Sequence, residues 1–179
     1  NKDIQYYYPT SVLVTGQDII FFWVARMIMA GLEYNRTKSI GEAIPFRDVY
    51  FTGMVRDKQG RKMSKQLGNS PDLLKLIDDY GADAVRFGIM ISSPAGNDLL
   101  FDLTSLDQGK FFNNKLWNAL KLVKMWEQRI DPSLTDKGDF AVEWFGSRLH
   151  QVRSEVEKLF KEFRLSEALK TIYSLIWDD

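Results

Sequence analysis

Cysteine is absent from the 179 residues, and histidine occurs once, as His150. The first absence excludes disulfides, thiol nucleophiles and cysteine-ligated metals. The second leaves no histidine cluster for a metal and argues against a Ser-His-Asp triad. His150 itself, beside Leu149 in an amphipathic stretch, is assigned no function. Net charge is lacking too: 24 Lys and Arg balance 24 Asp and Glu. Global attraction to nucleic acid is therefore excluded, and any basic surface must come from local clustering. The longest apolar run, "IIFFWVARMIMA" from Ile19 to Ala30, is broken by Arg26. It falls short of the roughly 20 residues that a membrane span needs. No signal-peptide pattern precedes it, and a cytoplasmic location is expected. The opening "NKDIQYYYP" has no methionine and reads as part of a longer chain. What is present is a hydrophobic fraction of 45%, enough to build a packed core and to argue against wholesale disorder.

The pattern along the chain is α/β first and all-α afterwards, with the change between residues 100 and 110. Val12 to Thr15, "VLVT", is a short β-branched run ending at Gly16. A helix-like apolar segment follows from Asp18 to about Leu32, and "YNRTKSIGEAIP" reads as a loop. Val49, Phe51 and Val55 alternate as on a strand, and "DKQG", Asp57 to Gly60, is a turn. Ser70-Pro71-Asp72 marks a helix start, with serine as cap and proline at the first helical position. That helix stops at Gly81, and another runs from Asp83 to Ser92 until "SPAGND" breaks it. Beyond Leu106 the apolar residues Leu116, Leu120 and Val123 recur at helical spacing. "RIDPSLTDKGD" is a linker. Two further amphipathic helices follow, the first with Leu149, Val152, Val156, Leu159, Phe160 and Phe163 on one face.

One segment suits no core. "GRKMSKQLGN", Gly60 to Asn69, holds a cluster of cations, a hydroxyl and two glycines. Lysine is a compact charge with three donors, suited to phosphate oxygens, and flanking glycines allow close approach. Such a loop can close on a triphosphate and stabilise developing charge; a solvated charge run is the plainer reading of the same spacing. "TGQD", Thr15 to Asp18, ends the first strand, where ligands sit in open α/β sheets. Gly16 would admit a ligand to the backbone and Asp18 would accept from ribose hydroxyls; alternatively Asp18 is a helix cap and Gly16 a turn. Trp23 is either core or the wall of a small apolar pocket. Lys110, Lys115, Lys121, Lys124 and Arg129 give the first long helix a cationic excess that suits a phosphate backbone or a solvated face.

Taken together, these segments resemble one family. "GRKMSKQLGN" is similar to the Lys-Met-Ser-Lys-Ser signature of class I aminoacyl-tRNA synthetases. "YYPTSVLVTGQDIIFFWVARMIMAG", "YGADAVRFGIM", "GNDLLFD", "FFNNKLWNA" and "RLSEALKTIYSLIWDD" resemble the valyl branch in the same order, over essentially the whole chain. Isoleucyl and leucyl branches share the lysine signature but carry other residues at "DIIFFWVARM". The alternatives are an isoleucyl or other branched-aliphatic class I synthetase, or a non-catalytic tRNA-binding module.

The resemblance implies the C-terminal half of a Rossmann-like nucleotide-binding domain and then a helical tRNA-binding bundle. Residues 1–75 would be catalytic domain including the lysine loop, 76–106 a connecting helical segment, and 107–179 the start of the anticodon-binding helices. It implies ATP with Mg2+, valine and tRNA(Val) as substrates of the full enzyme, with no resident metal or bound cofactor in this stretch. Lys62 and Lys65 would hold ATP phosphates, and Met63 and Ser64 would position the loop. Gly16 and Asp18 would contact the adenylate, Thr52 and Gly53 would lie near adenine, and Trp23 would shape the valine pocket. Lys110, Lys115, Lys121, Lys124 and Arg129 would face tRNA. The signature's final serine is Gln66 here; both lysines remain, so the phosphate role stands, while the loop's hydrogen bonding and closure are expected to differ. The family's His-Ile-Gly-His motif and inserted editing domain are not in these residues. The 179 residues alone are therefore expected to be inactive, with the first strands short of partners.

Overall fold

The computed structural model describes residues 2–93, 96–130 and 138–179. The expected linker falls largely outside them. The chain is α/β at its start and helical afterwards, and it divides into two compact units. The first comprises the residues up to Met54 together with the return through Asn97 and Asp98; the second begins at Val55 and takes the rest.

In the first unit, helix α1 (Lys2–Tyr7) leads into strand β1 (Thr10–Gly16), helix α2 (Ala25–Tyr34), the one-turn helix α3 (Ile40–Ala43) and strand β2 (Phe46–Thr52). β1 and β2 pair in parallel, with Thr10 opposite Phe46 and Gly16 opposite Thr52. Both strands thus present their carboxyl ends at the same edge. The expected helix from Asp18 starts late. Gln17–Ile19 is a 3-10 turn and Ile20–Val24 a π-helical turn, and α geometry begins only at Ala25. The expected loop after Tyr34 contains α3, closed by a capping box in which Ser39 and Glu42 satisfy each other's backbone donors. The packing beneath is close. A Cβ on Gly31 would sit 2.5 Å from the Ala43 carbonyl, and the Tyr8 hydroxyl donates to that same carbonyl. Val24, Ala43 and Phe46 are buried there, whereas Val14 is 57% exposed.

The second unit opens with strand β3 (Val55–Arg56), which pairs in parallel with β4 (Leu99–Leu100). Val55 is therefore not a continuation of β2. Helices α4 (Leu73–Tyr80), α5 (Ala82–Ser92), α6 (Leu103–Glu127), α7 (Asp139–Lys161) and α8 (Leu165–Trp177) complete it. α4 begins two residues later than expected. Its cap is Asp72, whose carboxylate accepts from the Leu74 and Lys75 N–H groups at 2.9 and 3.5 Å, so Ser70 does not cap and Pro71 precedes the helix.

Leu76, Val85 and Leu106 form the core of this unit, with Ile77, Tyr80, Ile89 and Phe101 against them. Burying a side chain such as Leu106 stabilises the fold by about 2–3 kcal/mol. α5 and α6 approach through glycines: a Cβ on Gly88 would lie 2.6 Å from the Ser105 carbonyl, and one on Gly109 2.6 Å from the Ala84 carbonyl. A ladder of rings then ties α8 to the pair. Phe87 stacks on Phe112 at 5.0 Å, Phe112 meets Tyr173 at 5.0 Å, and Tyr173 stacks on Trp177 at 5.5 Å. α7 joins through Val152 and Leu159, which are buried; Leu149 and Phe160, expected on the same inward face, are about half exposed. The helical period at Leu116, Leu120 and Val123 is present, but those side chains are exposed as well.

Candidate functional site

The parallel register assembles one group of candidates in the first unit. Gly16 and Thr52 face each other at the strand ends, and the Thr52 hydroxyl lies 3.4 Å from the Thr15 carbonyl it donates to. Gly16 has ordinary extended angles, φ −76° and ψ 147°, which any residue adopts. The Asp18 side chain nonetheless lies close to it. A Cβ there would lie 2.8 Å from Asp18 Oδ1, because the Asp18 carboxylate folds back over the strand end. Asp18 lies inside the 3-10 turn, whose N-cap position is taken by Gly16. Gly53 has a packing reason of its own: the Asn97 backbone lies directly on it, and the Met54 N–H donates to Asp98 Oδ1 at 2.9 Å. Trp23 sits in the π-helical turn, 42% exposed, next to the more exposed Phe22. π-helical turns recur at functional positions.

The lysine loop lies in the second unit, and its own side chains build it. Asp57 is buried at its base. One carboxylate oxygen accepts from the Gln59 and Arg61 N–H groups at 3.0 and 2.9 Å; the other accepts from Arg61 Nε at 2.8 Å and Asn69 Nδ2 at 2.9 Å. The Asn69 carboxamide and then the Arg61 guanidinium hold this carboxyl well below the usual carboxylate range, against the opposing effect of burial. The expected turn closes between Asp57 and Gly60, with Gly60 at φ 76°, a conformation that favours glycine. Across the loop, Asn69 Oδ1 accepts from the Ser64 N–H at 2.9 Å, and the Ser64 hydroxyl accepts from the Leu67 N–H at 3.2 Å.

Two consequences follow for the candidates. The Ser64 N–H is engaged inside the loop, donating to Asn69 Oδ1. Lys62 and Lys65 are exposed, with Lys62 in a backbone bridge to Arg56 and Lys65 opening the turn that Gly68 closes. Beneath the loop is a cavity of about 330 Å3, lined by Met63, Gly68, Asn69, Pro71, Phe101 and Leu103 among others.

The basic residues of α6 do not form one stripe. At 3.6 residues per turn, Lys110, Lys121 and Lys124 share a side, while Lys115 lies about 140° round from Lys110. Lys110 also donates to the Asp79 carbonyl at 3.1 Å, and Lys115 Nζ sits 3.6 Å from the Trp177 ring centroid. Arg129 lies past the end of the helix. Among the described residues no group of three or more His, Cys, Asp or Glu side chains is placed to hold a metal. No helix among the described residues is long and apolar enough to cross a membrane. Asp57 and Asn69 were missed as site residues by sequence reading. Asn69 ends the lysine segment and Asp57 opens the turn before it, but their pairing needs the loop to be folded.

Residues 1–102 match the model of the family described as tRNA synthetases class I (I, L, M and V). The chain belongs to this family. Among similar class I proteins is the valine–tRNA ligase of Phocaeicola vulgatus, 60% identical over 179 residues, all of this chain and 20% of that protein. The valine–tRNA ligase of Porphyromonas gingivalis is 56% identical over the same 179 residues, and that of Chlorobaculum tepidum 41% over 192. The chain thus spans about a fifth of the length of the curated relatives it matches. Two solved synthetases share the fold. One is the LeuRS of the Agrobacterium radiobacter K84 agnB2 LeuRS-tRNA-LeuAMS complex, with TM-score 0.80 and 20% identity over 94% of this chain and 22% of that one. The other is Mycobacterium tuberculosis methionyl-tRNA synthetase bound by methionyl-adenylate, with TM-score 0.68 and 24% identity over 96% of this chain and 33% of that one.

Proposed function

We propose that this chain is part of a valine–tRNA ligase, contributing the lysine loop, the strand ends before it and the first helices of the tRNA-binding region. The observation that carries the proposal is the 60% identity across every residue to a protein of that name. The reading assigns residues 1–75 to the catalytic domain, 76–106 to a connecting segment and 107–179 to the anticodon-binding helices.

The full enzyme joins valine to ATP in the first step. A valine carboxylate oxygen attacks the α-phosphorus, the bond to the β-phosphate oxygen breaks, and pyrophosphate leaves. Negative charge grows on the departing phosphates. Lys62 and Lys65 meet it with ammonium groups, and Met63 and Ser64 keep the loop in shape. Magnesium arrives with ATP as part of the substrate. At the strand ends Gly16 leaves room at the backbone and Asp18 accepts from ribose hydroxyls, with Thr52 and Gly53 near adenine. Trp23 forms a wall of the valine pocket. In the second step a hydroxyl of the terminal tRNA ribose attacks the valyl carbonyl and AMP departs. Lys110, Lys121, Lys124 and Arg129 attract the tRNA backbone, and Lys115 does so from another side of α6.

The test is amino-acid-dependent exchange between ATP and pyrophosphate by the full-length parent protein. Valine is expected to drive exchange in preference to isoleucine, leucine and methionine. Exchange driven best by one of those three would replace this assignment with another branch of the family.

A further inference from the structure

Asn69 occupies a position that the phosphate reading leaves without a role. Its carboxamide touches three parts of the lysine segment: Oδ1 accepts from the Ser64 N–H at 2.9 Å, and Nδ2 donates to Asp57 Oδ2 at 2.9 Å and reaches the Lys62 carbonyl at 3.4 Å. The orientation is forced, since an ionised carboxylate only accepts and a backbone N–H only donates. Asp57 is fixed in turn by the Gln59 and Arg61 backbone and by the Arg61 guanidinium, whose Nη2 lies 2.7 Å from Oδ2. One side chain therefore spans from a buried anchor to the backbone of both Lys62 and Ser64, the residues flanking Met63. Lys65 follows directly.

We infer that Asn69 and Asp57 form a latch that sets the backbone of the lysine loop, making both of them positioning residues for the two lysines. The inference rests on the phosphate reading of the loop. An ammonium group stabilises a developing charge only if it is already in place, and lysine has a flexible stem that cannot correct a displaced backbone cheaply. The latch supplies that placement from within the unit, through hydrogen bonds to a charged acceptor, which are stronger than neutral ones. Neither Asn69 nor Asp57 need touch ATP.

The experiment uses the full-length parent protein with Asn69→Ala, Lys65→Ala, the double variant, and the exchanged pair Asp57→Asn with Asn69→Asp. Adenylate formation is followed by single-turnover kinetics together with the KM for valine and thermal melting. Asn69→Ala is expected to slow adenylate formation by up to about 100-fold, the scale of a misplaced catalytic group, with the valine KM unchanged and only a small fall in the melting midpoint from the lost bond to Asp57. In the double variant the two losses are expected to add only in part, because the share of the Asn69 effect that acts through Lys65 is already gone while the share through Lys62 remains. The exchanged pair puts a donor at position 57 and acceptors at position 69. It also sets that donor against the Arg61 guanidinium and the new carboxylate against the Lys62 carbonyl, so it is expected to stay slow. Full recovery would overturn the contacts assigned to the latch. Wild-type rates in Asn69→Ala, with Lys65→Ala slow, would overturn the latch and leave the phosphate reading standing. Fully additive losses, or a rate loss that tracks a large fall in the melting midpoint, would make Asn69 a stability residue and overturn the latch as well. An unaffected Lys65→Ala would remove the phosphate reading and the latch with it.

Discussion

In the first unit, strand register sets Gly16 beside Thr52; in the second, the loop's own side chains hold the lysine segment. The surroundings differ in the same sense. The two-stranded parallel pair leaves Val14, Phe21 and Phe22 exposed, although parallel strands are ordinarily covered on both faces. The second unit has Leu106 fully buried, close glycine crossings between α5 and α6, and a ladder of rings reaching α8. A loop that must carry charge is thus anchored to the unit with the better core. The strand-end residues depend on two strands and on what covers them.

The contrast can be broken most forcefully at the ring ladder. Phe112→Ala removes the ring between Phe87 and Tyr173, and it is expected to cost about 3–5 kcal/mol of the second unit's stability by chemical denaturation. A loss below about 1 kcal/mol would mean that the ladder is not what holds α8. In the first unit, Gly53→Ala forces a methyl into the Asn97 backbone and is expected to cost about 1–3 kcal/mol, the range for overpacking. Amide exchange should then speed up in β1 and β2 and stay unchanged in α5 and α6. Faster exchange in both units alike would show that they do not respond separately. At the smaller end, Asp72→Ala removes the α4 cap and is expected to cost about 1 kcal/mol, read as faster exchange at Leu74 and Lys75.

A pH dependence sharpens the comparison. The Asp57 carboxyl is held below its ordinary value chiefly by Asn69 and then by Arg61. A depressed carboxyl contributes stability at pH values above its unfolded value of about 3.9 and loses it as the pH falls toward the folded value. Exchange protection at the Ser64 N–H is therefore expected to persist through neutral pH and to fail only in strong acid. In Asn69→Ala the carboxyl titrates closer to its ordinary value. Loss of protection near pH 6 in the unaltered protein would contradict this sign.

Local chemistry made parts of this legible in advance. The β-branched run Val12 to Thr15 predicted a strand, and pairing with β2 extended it to Thr10–Gly16. The Gly81 stop and the helices of the second unit follow from glycine and apolar period. The segment after Gly16 misled because its apolar residues suit a helix, while Gln17–Ile19, with the Asp18 carboxylate folded back on Gly16, is a 3-10 turn and Ile20–Val24 a π turn. α3 is a single turn, too short for a period to register. Leu116, Leu120 and Val123 carry the right spacing but are exposed, since spacing names a face and not what covers it. The lysines of the candidate site were visible as a motif. Asn69 and Asp57 were visible only as neighbours, because a hydrogen bond across twelve residues has no signature in composition.

The most direct test of the account compares the full-length parent protein with its Lys65→Ala variant in valine-dependent ATP–pyrophosphate exchange, with circular dichroism confirming the same fold. A loss of about 100-fold is expected, roughly 3 kcal/mol of transition-state stabilisation. Exchange at the unaltered rate would return Gly60–Asn69 to an ordinary solvated charge run and contradict the account.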